Sequence, residues 1–430
     1  MVELADTLVL EASTARCASS SLAWGTILKH IKQHPTDWDS KMALPLVCFS
    51  IERIIMTTEN VAICPLPFKS ISYNITGIVG PCTSCDLTQY KSINDYWQSN
   101  ELKQLRTDML NGIRNPACNT CYLREDAGAW TMRKHLVEVT TDFDYTNKNP
   151  VLEQALLRFS NVCNYMCLDC NSNTSSLIYK EEINRGLRAG ESPILFAGND
   201  PDILINQLKE HVHTLKTVNF SGGEPLVQWQ HWEMIKYMVE QNVSPAVTYY
   251  TNLSKLYYKK QYLIDYLNHF KNVEMVVGFD AMGDGCDYFR RGMDFYETIE
   301  NIQTVRKEAP HVKLDIVTTF TWLNAINAVG MIEWIYRNLP GQAVSMNLVL
   351  HEHLDMRVAP QFKKNQIDKA LKRLLDIPSI QSEMVEGLIN YLWSEDQSFK
   401  FNDSLKWLKG IDDWRKQDFR KVFPEHKDIL

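Results

Sequence analysis

From residue 151 onward the chain alternates short β-rich runs with helix-length segments. The runs are ALLRFS, TVNFSG, AVTYYT, VEMVVGFD, VKLDIVTTF and AVSMNLVL, and segments such as His231 to Gln241 and Tyr296 to Lys307 separate them. Six strands in this alternation predict a parallel sheet with right-handed crossovers, either an α/β barrel or an open α/β sheet, and the periodicity alone does not choose between the two. After about residue 360 the pattern turns helical, and Trp407, Leu408 and Trp414 predict a terminal amphipathic segment that packs back on the domain. Residues 57–150 carry clustered cysteines, whereas residues 1–56 carry no clear repeat or motif. The expected boundaries are therefore 1–56, 57–150, 151–360 and 361–430. Met56 opens the stretch MTTENVAICPLPF, which reads like a natural protein start, so residues 1–55 are expected to be an extension.

Composition narrows the class. The chain has 430 residues, 45% of them hydrophobic and 23% charged, enough for a sizeable core and too balanced for disorder. A formal charge of −7 argues against nucleic acid as the default partner. Glu3, Asp6 and Glu11 interrupt any secretory signal, and the most apolar stretch, Met42 to Met56, is broken by Glu52 and Arg53. It also falls short of the roughly 20 residues that span a bilayer. With eleven cysteines, seven of them in short-spaced groups, thiolate ligation in a reducing compartment is expected rather than a disulfide framework, and the cytosol fits best.

Immediately after the first predicted strand comes FSNVCNYMCLDC, which sets Cys163, Cys167 and Cys170 in a C-x3-C-x2-C run. Three thiolates on one loop leave one iron of a 4Fe-4S cluster without a protein ligand, and a cofactor or substrate can bind there. A loop at the C-terminal end of a strand is also where parallel α/β barrels gather their active sites. By spacing alone, a zinc site completed by a distant residue, or three unrelated buried thiols, remain alternatives. The second predicted strand ends in NFSGGEP, whose Gly222 and Gly223 permit close backbone approach, with Glu224 and Pro225 following.

Together these two motifs, in this order, resemble the radical S-adenosylmethionine superfamily. The resemblance implies a partial (β/α)6 TIM-like barrel, a 4Fe-4S cluster on Cys163, Cys167 and Cys170, and S-adenosylmethionine as cofactor. It implies that Gly222, Gly223, Glu224 and Pro225 bind the cofactor's amino group. Asp280 would face its ribose and Arg290 its carboxylate, while Asn252, which follows Thr251 at the end of the third strand, would line the same pocket. It further implies reductive cleavage of the cofactor to a 5'-deoxyadenosyl radical that takes a hydrogen atom from a substrate, and an electron donor such as a flavodoxin or ferredoxin.

A second constellation precedes the barrel: Cys64 in CPLPF, Cys82 and Cys85 in GPCTSC, and Cys118 and Cys121 in PACNTCYLRE. The paired short spacings suit zinc, although the gap between the pairs is long for a zinc ribbon. Read from Cys64 through Gly77 to Cys82, the segment resembles the opening of SPASM and Twitch auxiliary-cluster domains, placed here before the barrel. That resemblance implies an auxiliary 4Fe-4S cluster on Cys64, Cys82, Cys118 and Cys121, with zinc as the alternative and no place for Cys85. Cys17, Cys48 and Cys286 stand alone and read as small buried apolar residues. His351 and His353, flanking Glu352 after the sixth strand, read as a polar strand-end turn.

The expected function is thus a radical S-adenosylmethionine enzyme, with a peptide or protein as the first expectation for its substrate. The alternatives are the same chemistry on a sugar, nucleotide or other small metabolite, and a non-catalytic Fe-S or zinc scaffold.

Overall fold

The computed structural model describes residues 62–75, 79–88, 90, 92–126, 131–190, 192–349 and 351–429. The expected extension at 1–56, with Cys17 and Cys48, and Gly77 lie outside the described residues. In chain order the strands are β1 (Ser70–Tyr73), β2 (Val79–Gly80), β3 (Gln154–Leu157), β4 (Met166–Cys167), β5 (Thr217–Phe220), β6 (Ala246–Thr251), β7 (Tyr257–Tyr258), β8 (Gln261–Tyr262), β9 (Val273–Gly278), β10 (Arg290–Arg291), β11 (Lys313–Phe320) and β12 (Ala343–Leu348). Eight of them form one sheet in the order β12-β11-β9-β6-β5-β3-β1-β2. Every neighbouring pair is parallel except β1 and β2.

The six strands expected from the sequence are β3, β5, β6, β9, β11 and β12, and they lie side by side in chain order. Each is followed by a crossover long enough to hold a helix, as parallel pairing requires. The strand that the pattern missed is β1. It comes from the cysteine-rich segment and pairs with β3 through Ser70↔Gln154, Ile71↔Ala155 and Ser72↔Leu156. Four residues, two of them serine, carry no alternation strong enough to announce a strand.

Alternation within the strands builds two unlike faces. In β11, Leu314, Ile316, Thr318 and Phe320 are buried, as are Val273, Met275 and Val277 of β9 and Val247, Tyr249 and Thr251 of β6. The helices Trp229–Glu240, Phe295–Glu308 and Ala325–Asn338 supply apolar stripes such as Phe295, Ile299, Ile302 and Val305. The alternate positions, among them Arg158, Asn219, Thr248 and Val276, are only partly buried, so this face is more open and more polar than the one that meets the helices.

Past residue 360 the chain forms the helices Gln361–Arg373, Ser382–Ser394, Phe401–Arg415 and Phe419–Val422. The third packs back on the domain as expected, but its buried stripe is Phe401, Ser404, Leu408, Ile411, Asp412 and Arg415. Trp414 falls off that stripe and stays 45% exposed. Among the described residues no helix is long and apolar enough to cross a membrane.

Candidate functional site

The chain leaves β3 through Phe159 and Ser160 and enters the loop that carries Cys163, Cys167 and Cys170. Met166 and Cys167 form the two-residue strand β4, paired antiparallel with Arg290 and Arg291 of β10. Each thiol meets a polar group of the protein: the Tyr165 amide stands 3.4 Å from Cys163 Sγ, the Thr174 hydroxyl 2.9 Å from Cys170 Sγ, and Arg290 Nη1 3.8 Å from Cys167 Sγ. Burial pushes the Cys163 thiol up to about 12 and raises Cys167 and Cys170 as well, with Arg290 opposing the rise. Soft thiols that are costly to ionise alone are deprotonated outright on a metal, so this donor set fits iron or zinc.

The Gly-Gly-Glu-Pro segment is joined to this loop backbone to backbone. The Gly223 amide donates to Ser160 O at 3.2 Å and the Glu224 amide to Val162 O at 2.9 Å. Gln228 Nε2 reaches the same Val162 carbonyl at 3.2 Å. A Cβ on Gly223 would lie 2.2 Å from Val162 O, so no other residue permits the approach. Gly222 has φ +110°, in the region that favours glycine. Pro225 opens the one-turn helix Pro225–Val227 and is buried.

Glu224 is sealed beneath the loop. Its Oε1 accepts from the Thr251 hydroxyl at 2.6 Å and the Leu226 amide at 3.0 Å, and its Oε2 from the Asn252 amide at 2.6 Å. Three of the roughly four acceptor positions of a carboxylate are thereby filled. Burial raises its proton affinity to about 7, against the pull of these donors. Since that lies above the ordinary 4.5, the folded chain holds an extra proton between the two values. This group's contribution to stability is therefore fullest below the window and falls as pH rises through it. Asn252 also bonds across to the cysteine loop, from Nδ2 to Asn164 Oδ1 at 3.0 Å.

Asp280 and Arg290 face each other. Arg290 Nε donates to Asp280 Oδ2 at 2.5 Å, and the Thr319 amide donates to Asp280 Oδ1 at 2.7 Å. The guanidinium packs where a Cβ on Gly278 would lie 2.6 Å from Nη2. Gly278 was not singled out from the sequence, although a glycine closing the strand run VEMVVG is a signal of close approach. Replacing Asp280 by asparagine leaves Arg290 buried without its counter-charge. The expected result is a loss of about 3–5 kcal/mol of stability, read by urea denaturation at neutral pH.

The N-terminal thiols are gathered too. Cys64 and Cys118 are buried, Cys82 and Cys121 partly so. The Cys64 thiol is raised by burial and then by neighbouring Cys82, Cys118 and Cys121, so the four share one region. Cys85, which had no place in the sequence pattern, lies with its Sγ 4.0 Å from Cys118 Sγ, beside the 2.9 Å bond from the Asp86 amide to Ala117 O. Among the described residues no group of three or more His, Cys, Asp or Glu is gathered closely enough to hold a metal ion, either here or at Cys163, Cys167 and Cys170. Cys286 donates to the Ala281 carbonyl at 2.7 Å, and His351 and His353 pack on Trp407 with ring centroids 5.1 and 5.2 Å away.

No family model and no curated protein matches the chain. Similar solved structures include anSMEcpe with bound AdoMet, at 17% identity and TM-score 0.37, covering 53% of this chain and 60% of that one. Others are Streptococcus suis SuiB bound to S-adenosylmethionine, at 14% and 0.31 with 61% and 52% covered, and TYW1 with a lysine-pyruvate adduct, at 16% and 0.26 with 49% and 70% covered. The chain thus spans 60% of the length of the anSMEcpe structure.

Proposed function

We propose that the chain is a radical S-adenosylmethionine enzyme, its sheet curved as a partial (β/α)6 barrel with the three-cysteine loop at the C-terminal mouth. The observation that carries this reading is the lock between Gly223 and the Ser160–Val162 backbone, which ties a buried carboxylate to a loop bearing three thiols. A structural zinc site needs the thiols and has no use for that arrangement. Cys163, Cys167 and Cys170 would hold a 4Fe-4S cluster, which when bound would supply the one-electron chemistry for reductive cleavage of S-adenosylmethionine.

The chain's own residues bind, orient and shield. Cys163, Cys167 and Cys170 hold the metal. Gly222 to Pro225 present backbone to the cofactor's amino group, with the Glu224 carboxylate buried behind it. Asn252 lines the pocket from the end of β6, while Asp280 and Arg290 meet the ribose and carboxylate ends. Arg290 is held by Asp280 on one side and lies beside Cys167 on the other, so it reaches the cofactor already oriented. In the N-terminal segment the Cys64, Cys82, Cys118 and Cys121 thiols form an auxiliary metal site, with Cys85 against it. The substrate proposed is a peptide or protein, reached across the polar face of the sheet, and the electron donor is of the flavodoxin or ferredoxin kind.

The test is anoxic reconstitution with iron and sulfide, followed by dithionite and S-adenosylmethionine. Release of 5'-deoxyadenosine supports the reading, and its absence from fully loaded, reduced protein overturns it. Metal analysis of the same sample separates the auxiliary alternatives: roughly eight irons per chain for two clusters, or roughly four irons and one zinc. A pH series adds a second check. Glu224 ionises as pH rises through about 7. An ammonium group is drawn only to the ionised form, so cofactor affinity is expected to strengthen about tenfold from pH 6 to pH 8, read by anoxic calorimetry.

A further inference from the structure

We propose that Arg415, at the end of the helix Phe401–Arg415, is a positioning residue for the three-cysteine loop, and this rests on the reading of that loop as a cluster site. Its guanidinium spans two elements that flank the loop. Nε and Nη2 donate to Glu181 Oε1 and Oε2 at 2.9 and 2.7 Å, a bidentate pair with side chains only 4% and 9% exposed. Nη1 donates to the backbone carbonyl of Met166 at 3.2 Å, between Cys163 and Cys167. Glu181 stands on the helix Ser176–Asn184 that follows Cys170. One planar fork therefore ties the middle of the loop to the helix beyond it, which a lysine with a single ammonium cannot reproduce.

The helix end is itself fixed to the opposite side of the loop. Arg291, paired with Met166 in the β4–β10 ribbon, donates from Nη1 to Arg415 O at 3.3 Å. Tyr288 donates to Asp412 Oδ1 at 2.7 Å, and the Phe419 amide to Asp412 Oδ2 at 3.0 Å. The preceding carbonyl of the loop, Tyr165 O, accepts from Ser175 Oγ at 2.8 Å. Consecutive carbonyls of the loop, at Tyr165 and Met166, are thus both held by side chains from outside it, and the second of these comes from the C-terminal segment.

The experiment compares the full-length parent with R415K, R415M and the double variant E181Q/R415M, which leaves no buried charge unpaired and so keeps the fold. Hydrogen exchange of the peptide containing residues 163–170, measured without added metal, reads the loop directly. The expected result is exchange at least about tenfold faster in R415M and the double variant, with R415K between them and the parent. In reconstituted samples, iron release to a chelator is expected to quicken by roughly 10- to 100-fold, and the reduced-cluster resonance to broaden in the double variant. Loop exchange in the double variant equal to the parent's, or losses across the series that merely follow melting temperature, overturn the proposal. A parent that never holds iron refutes the cluster reading instead, and the metal-free exchange result still decides whether Arg415 positions the loop.

Discussion

Gly223→Ala is expected to lose roughly 3 kcal/mol or more of stability and on the order of a hundredfold in cofactor cleavage. The added Cβ would sit 2.2 Å from Val162 O, 2.7 Å from Val162 C and 2.8 Å from Asn161 C. All three are backbone atoms, so no side chain can rotate away, and the segment must retreat by about 1 Å to restore ordinary contact. The retreat breaks the bonds from the Gly223 and Glu224 amides to Ser160 O and Val162 O, and it moves Glu224 away from Thr251 and Asn252. The three-cysteine loop and the Gly-Gly-Glu-Pro segment, which share this seam, both lose registration. Urea denaturation and anoxic turnover measure the two effects. A variant with the parent's midpoint and turnover would show that the seam has slack and is not what aligns the site.

On the proposed reading, Cys163→Ala is expected to abolish 5'-deoxyadenosine release and to remove roughly four irons per chain, leaving unchanged whatever metal the N-terminal thiols take up. Cys163 is the thiol of the loop nearest the seam, one residue from Val162, and its sulfur accepts the Tyr165 amide. Alanine fills the site with a small apolar group, so the fold is expected to survive where the metal does not, which circular dichroism beside iron analysis reads out. Retention of turnover would remove the three-thiol loop from the chemistry altogether.

Much of this was legible in the sequence because it is local. The spacing of Cys163, Cys167 and Cys170, the glycine pair at 222 and 223, and six β-rich runs lie within short windows where side-chain type and backbone demand coincide. What was not legible is long-range. The β1 strand Ser70–Tyr73 takes its conformation from its partner β3 rather than from its own residues. Asp280 and Arg290 could be nominated separately, but their pairing depends on a ribbon that returns Arg290 to Cys167. Glu181 and Arg415 stand 234 residues apart, so neither hints at the other. Trp414 looked like part of a buried stripe, and the helix phase that buries Leu408 and Ile411 turns it outward.

The pairing of β1 with β3 sets the geometry between the two groups of thiols. Because the strands run the same way, Cys64 lies before the start of one and Cys163 beyond the end of the other, with three paired rungs, about 10 Å of ladder, between them. Main-chain bonds along that ladder hold the segment that leads from Cys64 and the loop that carries Cys163 at opposite ends of one pair of strands.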